Sequence, residues 1–156
     1  MFDWRKRIVS KAGAIHDGWV LDRPGVEYSL VHVDKSQGLW VTKVRFQAGA
    51  KIPSHLHTGA VIGYTTRGAW GYPEDNVRFE VGDYCFEPPG TFHEIEVFGS
   101  KTEVTEAIFI MWGAILSFDI EDRQKVTGYS DANTIVDEYL DLCRDQNITP
   151  TEFIEM

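Results

Sequence analysis

Apolar and polar positions alternate with a period of two over most of this chain, and glycine or proline interrupts the pattern at short intervals. In Leu39–Phe46, Trp40, Thr42, Val44 and Phe46 share one face, opposite Leu39, Val41, Lys43 and Arg45. Successive side chains of a strand point to opposite faces, so this pattern predicts a half-buried strand. Val26–Val33 reads the same way, with Val26, Tyr28, Leu30 and His32 against Val31 and Val33. The polar loop Asp34–Gly38 between the two runs makes them a β-hairpin. Further strands are predicted at Pro53–His57, Ala60–Thr66, Trp70–Tyr72, Val77–Phe79, Tyr84–Glu87, Phe92–Phe98, Glu103–Trp112 and Ile115–Ile120. Trp19–Leu21 reads as a short edge strand before the turn Arg23-Pro24-Gly25, and the rest of residues 1–24 carries no clear period.

The period changes after Gly128. Ile135, Val136, Tyr139, Leu140 and Cys143 recur at helical spacing, with Asp137, Glu138, Asp141 and Arg144 on the other face. That predicts an amphipathic helix over about 131–145, with Ser130 as its N-cap. Many short strands, Gly/Pro turns and one helix predict an all-β antiparallel sandwich or barrel, with the C-terminal helix on its outside or at a subunit seam. No repeat, low-complexity tract or linker divides residues 1–156, which read as one domain.

Composition narrows the partners. At 43% hydrophobic the chain can bury a core without disulfides. A net charge of -9, with Arg5-Lys6-Arg7 as the only basic cluster, argues against nucleic acid and anionic membranes. No apolar run spans a bilayer, Met1–Arg5 does not open a signal peptide, and the two cysteines, Cys85 and Cys143, imply no disulfide framework. The expected location is the cytoplasm, with both cysteines buried as small hydrophobes.

The candidate chemistry lies between Gly49 and Val97. His55 and His57 flank Leu56 on one predicted strand, so both imidazoles point the same way. His93 follows Pro88-Pro89-Gly90, a stiff turn that helps fix where its ring points. Such a trio supplies a large part of a transition-metal coordination sphere. His16 and His32 read as ordinary surface or core histidines.

The segment Gly49–His57, continuing to Gly68, resembles the first cupin motif, and Gly82–His93 resembles the second. The resemblance implies a cupin double-stranded β-helix, a jelly-roll barrel with the metal site inside and motifs at 49–68 and 82–97. Two positions depart from it. The glutamate ligand that cupins commonly carry after the histidine pair falls on Val61, or on Ile62 if the loop is one residue longer, and the closing asparagine falls on Val97. Two histidines and a carboxylate are the common set for non-haem iron. Three neutral imidazoles leave the charge of a divalent ion uncompensated, which favours an anionic oxygen ligand such as a chelating enolate.

A narrower resemblance follows. His57–Glu74, Glu87–His93 and the tail from Trp112-Gly113 through Phe118-Asp119 to Val126–Tyr129 are similar to the 2,4'-dihydroxyacetophenone dioxygenase family and the related acetylacetone-cleaving dioxygenases. That implies Fe(II) on His55, His57 and His93, a small ketone substrate and O2, and cleavage of a carbon–carbon bond beside a carbonyl. Zn, Ni or Mn would suit a non-redox isomerase or hydrolase on the same triad, and a ligand-binding cupin without turnover is a third reading. Because cupins commonly pair, a homodimer or homotetramer is expected.

Two acids and five aromatics complete the candidate site. Glu74, after Trp70–Tyr72, is an outer base, a distant fourth ligand or a solvated turn carboxylate. Glu87, on the strand that leads to His93, holds an imidazole, deprotonates substrate or is a buried structural acid that needs a partner. Tyr64, Trp70, Tyr72, Phe86 and Trp112 are the expected pocket walls. Glu94, Glu96, Glu103 and Glu106 read as a solvated face.

Overall fold

The computed structural model describes residues 18–100, 103–119, 121–122 and 124–156. The readings at Met1–Arg5, Arg5-Lys6-Arg7 and His16 lie outside the described residues. In chain order the strands are β1 (Val20–Arg23), β2 (Val26–Asp34), β3 (Leu39–Gln47), β4 (Lys51–His57), β5 (Val61–Arg67), β6 (Ala69–Tyr72), β7 (Val77–Phe79), β8 (Tyr84–Glu87), β9 (Phe92–Phe98), β10 (Val104–Trp112), β11 (Ile115–Phe118), β12 (Val126–Ser130) and β13 (Ile154–Glu155). One helix, α1 (Ile135–Asp145), and a 3-10 turn, Pro73–Asp75, complete the described elements.

Two sheets form the jelly roll. One runs β1-β2-β3-β10-β5-β8, with β13 added parallel to β2, and the other runs β12-β11-β4-β9-β6-β7. Every other pairing is antiparallel. The predicted alternation holds along β10, where Thr105, Ala107, Phe109 and Met111 are buried and the residues between them are not. In β2 it breaks: a bulge between Leu30 and His32 shifts the phase, so Val33 is buried and His32 leaves the face of Val26, Tyr28 and Leu30. A bulge adds one residue and so swaps the faces beyond it.

The helix starts later than its periodicity suggests. Ser130 ends β12 and donates its hydroxyl to Glu138, so it does not cap the helix. Asp131 instead accepts the amides of Asn133 and Thr134 in a tight turn, and α1 begins at Ile135 after Thr134. Ile135, Val136, Tyr139 and Cys143 are buried as expected, whereas Leu140 is exposed. Gln146 pins the end of the helix to β1, accepting the Leu21 amide and donating to the Leu21 carbonyl, both at 2.8 Å. Among the described residues no helix is long and apolar enough to cross a membrane.

Candidate metal centre

Strand pairing brings the histidines together. β4 lies between β11 and β9, and His55 is the direct cross-strand partner of His93. The strand period then aims His57 to the same side as His55. Ring centroids lie 5.0 Å apart for His55–His57, 4.3 Å for His55–His93 and 5.4 Å for His57–His93. One nitrogen from each ring falls within 4.8 Å of the others, and all three residues are buried. The turn before His93 is closed by Gly90, whose φ of +85° suits glycine. The Gly90 amide donates to the His57 carbonyl at 2.7 Å, tying the loop of the second motif to the strand of the first.

A carboxylate stands over the trio. Glu87, on β8 of the other sheet, is 3% exposed, and its Oε2 lies 3.6 Å from the Nε2 of both His57 and His93. That separation is too long for a hydrogen bond but suits groups around a common centre. Tyr72 donates its hydroxyl to the other oxygen, Oε1, and sits 3.3 Å from the Cys85 thiol. Burial raises the Tyr72 phenol and the Cys85 thiol, so both stay protonated. Burial also lifts the Glu87 carboxyl to about 7, partly offset by the Tyr72 hydrogen bond. It pushes His57 and His93 down to about 3, helped by the neighbouring imidazoles, and it lowers His55. At neutral pH the rings are therefore unprotonated, and their contacts with Glu87 are not ion pairs.

The donor set fits a divalent transition metal. His55 Nδ1 lies 3.0 Å from the Pro53 carbonyl, a contact that requires an Nδ1–H and leaves the Nε2 lone pair free. His57 Nδ1, both ring nitrogens of His93 and Glu87 Oε2 are buried with no hydrogen-bond partner among the described residues. Buried polar atoms left unpaired are costly, and their convergence marks a centre that completes itself with a ligand. The three histidines can hold a metal ion.

The trio and Glu87 lie at the buried end of a cavity of about 220 Å³ between the sheets. Tyr28, Trp40, Phe46, Phe109, Met111 and Ile115 give it an apolar wall, and Thr42 places a hydroxyl in that wall. Its less buried end carries Asp22, Arg23, Ser130 and Glu138, from β1, β12 and α1. A second cleft of about 200 Å³ also reaches Glu87 and His93, past Tyr72, Glu74, Asp75, Pro88 and Thr91.

None of the five expected wall aromatics lines the main cavity. The inward positions of β5 are Val61, Gly63 and Thr65, which turns Tyr64 outward at 45% exposure. On β8 the inward residues are Cys85 and Glu87, so Phe86 lies on the rim of the second cleft. Trp112 takes the outward phase of β10. Trp70 is fully buried, but in the core against Phe79 and Phe109, with its indole N–H on Thr65. Tyr72 reaches the centre through Glu87. Glu74 is exposed, accepts the Glu94 amide at 2.7 Å and lines only the second cleft. The residues missed from sequence, Tyr28, Trp40, Thr42 and Phe46, belong to the inward faces that the alternation had marked.

A two-sheet jelly roll with a buried three-histidine site on adjacent strands of one sheet is a cupin. The chain belongs to the ChrR cupin-like domain family, whose model matches residues 8–115. No curated protein sequence matches it. Among solved structures it is similar to an RmlC-like cupin protein from Ralstonia eutropha JMP134, at 27% identity over 87% of both chains with a TM-score of 0.75. A protein of unknown function with a cupin-like fold from the same organism is 29% identical, over 85% of this chain and 80% of that one, with a TM-score of 0.73. An acetylacetone dioxygenase from Acinetobacter johnsonii shares the fold at 18% identity, over 91% of this chain and 99% of that one, with a TM-score of 0.73.

Proposed function

We propose that this protein is a metal-dependent dioxygenase that cleaves a carbon–carbon bond beside the carbonyl of an enolisable ketone, an α-hydroxyketone or a β-diketone. The observation that carries the reading is the meeting of three neutral imidazoles and one buried carboxyl, Glu87, at the inner end of an apolar cavity. The fold shared with an acetylacetone dioxygenase agrees with that class.

His55, His57 and His93 would hold Fe(II), or Zn, Ni or Mn in its place, each through an unprotonated ring nitrogen. Bound iron supplies the one-electron chemistry that dioxygen needs with a closed-shell substrate. The apolar wall binds the body of the ketone and keeps water out. Glu87 is poised near neutrality and takes the α-proton on Oε2, the oxygen that Tyr72 leaves free. Tyr72 holds Oε1 and with it the direction of the carboxylate. Loss of that proton leaves the substrate as an enolate, whose anionic oxygen would suit a divalent ion held by three neutral imidazoles. Glu74, which accepts the Glu94 amide, on this reading supports the backbone beside His93.

The partners of this reading are a small ketone and O2. The unit is a single cupin domain over residues 1–156, working as a homodimer or homotetramer in the cytoplasm, and light scattering tests the assembly. The test of function is oxygen uptake by anaerobically prepared, Fe(II)-reconstituted protein with acetylacetone and 2,4'-dihydroxyacetophenone, beside His93→Ala. Uptake that vanishes in the variant supports the dioxygenase. No uptake, with stoichiometric zinc or nickel binding, moves the reading to a non-redox isomerase or hydrolase.

A further inference from the structure

The wall formed by Glu87 and His93 is reached from two sides. On one side lies the apolar cavity between the sheets, whose less buried end carries Asp22, Arg23, Ser130 and Glu138. On the other lies the cleft between the Pro73–Asp75 turn and the Pro88–Phe92 segment. There the exposed carboxylates Glu74 and Asp75 lie at the surface, and the buried Glu87 and His93 lie deepest. Glu87 Oε2 and both His93 nitrogens are buried and lack hydrogen-bond partners among the described residues, so this acidic opening ends on donors still able to bind.

We propose that this cleft is the port through which a hydrated divalent cation reaches the three-histidine centre, separate from the cavity that takes an organic substrate. The proposal rests on the trio holding a metal, and not on the reaction assigned to it.

Charge and chemistry point the same way. A cleft lined by one sign of charge concentrates ions of the opposite sign. Divalent ions keep their water tightly and exchange it for oxygen and nitrogen donors stepwise. Glu74 and Asp75 attract the hydrated ion, and the unpaired Glu87 oxygen offers an anionic donor on the way to the imidazoles. The main cavity also has Asp22 and Glu138 at its mouth, but Asp22 is paired with Arg23 and Glu138 accepts the Ser130 hydroxyl, and the wall between that mouth and the trio is mostly apolar.

The test is the rate of Co(II) uptake by metal-free protein, followed in a stopped-flow instrument by the visible absorbance of the cobalt centre. Glu74→Gln with Asp75→Asn keeps side-chain size and the oxygen that accepts the Glu94 amide. The expected result is uptake slowed about three- to tenfold at low salt. The difference from wild type should close in about 0.5 M salt, where the Debye length is only a few ångströms. Final binding should stay at one cobalt per chain, and Arg23→Gln should leave the rate within about twofold. An unchanged rate in the double variant overturns the port. So does faster uptake in Arg23→Gln alone, which would place entry at the main cavity. Loss of cobalt binding by the wild type would instead overturn the metal centre itself, which separates the two failures.

Discussion

Val61 and Glu87 are cross-strand partners on β5 and β8, both inward and both buried. Val61 is one of the two positions, with Ile62, onto which the cupin glutamate falls, and its partner across the ladder is the carboxyl that faces His57 and His93. Paired inward side chains of adjacent strands lie within about 5.5 Å of each other, so an acid on either strand reaches the same space. The site therefore keeps a carboxyl while its strand and its hydrogen bonds differ. On β8 the acid is met by the Tyr72 hydroxyl, which holds one oxygen and leaves the other toward the imidazoles.

Glu87→Gln keeps the size of the side chain and an oxygen for Tyr72, but it cannot take a proton. With Fe(II) and acetylacetone, oxygen consumption should fall about a hundredfold or more, the usual worth of a positioned general base. Metal stoichiometry should stay at one per chain. Turnover within about threefold of wild type would remove Glu87 from the chemistry.

Tyr72→Phe deletes the hydrogen bond that the Glu87 carboxyl accepts from the Tyr72 hydroxyl, and that bond lowers its basicity. A hydrogen bond to a charged group is worth about 1.5–3 kcal/mol, so the acid limb of the rate profile should move up by about one pH unit or more. Oxygen uptake measured from pH 5.5 to about 9 in the variant and wild type checks this. A superimposable acid limb would mean that Tyr72 serves only the packing.

The metal-free protein should be most stable near pH 6.5. Folding depresses His57 and His93 from 6.5 to about 3, so between those values the unfolded chain binds protons that the folded one does not, and stability falls as pH drops. Folding raises Glu87 from 4.5 to about 7, so its contribution is lost as pH rises through that window. Between pH 4.5 and 6.5 His57, His93 and Glu87 together leave about one net proton on the unfolded side, a slope of about 1.4 kcal/mol per pH unit, and His55, which burial also lowers, steepens it in the same direction. Glu87→Gln removes the opposing group, so urea titrations should show a steeper acid slope and no decline just above pH 6.5. An unchanged slope would contradict the arrangement of charge.

The metal trio was legible because its cause is local. His55-Leu56-His57 sets two rings on one face by strand period alone, and the Pro88–Gly90 turn announces His93. The cavity wall was not, because it depends on which sheet each face meets. The face of Trp40, Thr42 and Phe46 is plain in the alternation, but that it looks across at the histidines follows from β3 lying between its hairpin partner β2 and the distant β10, in the sheet opposite β4 and β9. Tyr64 and Phe86 fell outside because aromatic character does not report phase. Strand β12 went unread because Val126–Ser130 has a glycine at its centre and little alternation, and its pairing with β11 forms it. The helix start was misplaced because Ser130 resembles a cap while Asp131 makes the turn.

Gly68 should resist substitution. Its φ is +70°, and a Cβ there would stand 2.3 Å from the Thr105 hydroxyl oxygen, which accepts the Ala69 amide. Gly68→Ala should cost about 1–3 kcal/mol in a urea titration, through backbone strain and a displaced Thr105. A loss below about 0.5 kcal/mol would show that this corner relaxes freely.

Leu142→Trp tests whether α1 shapes the approach to the centre. Leu142 lines the main cavity from the helix and is only partly buried, so a larger ring there has room to turn without rebuilding the core. Filling part of a cavity of about 220 Å³ should penalise a bulky aryl ketone far more than a small diketone. The expected outcome is a KM for 2,4'-dihydroxyacetophenone raised about tenfold, with that for acetylacetone within about threefold, in line with the 1–3 kcal/mol by which a pocket distinguishes small changes of shape. The kcat for the diketone should hold, because Glu87 and the histidines lie at the far, buried end. Equal losses for both ketones would mean that substrate enters by another route, and that the helix closes the barrel without shaping its contents.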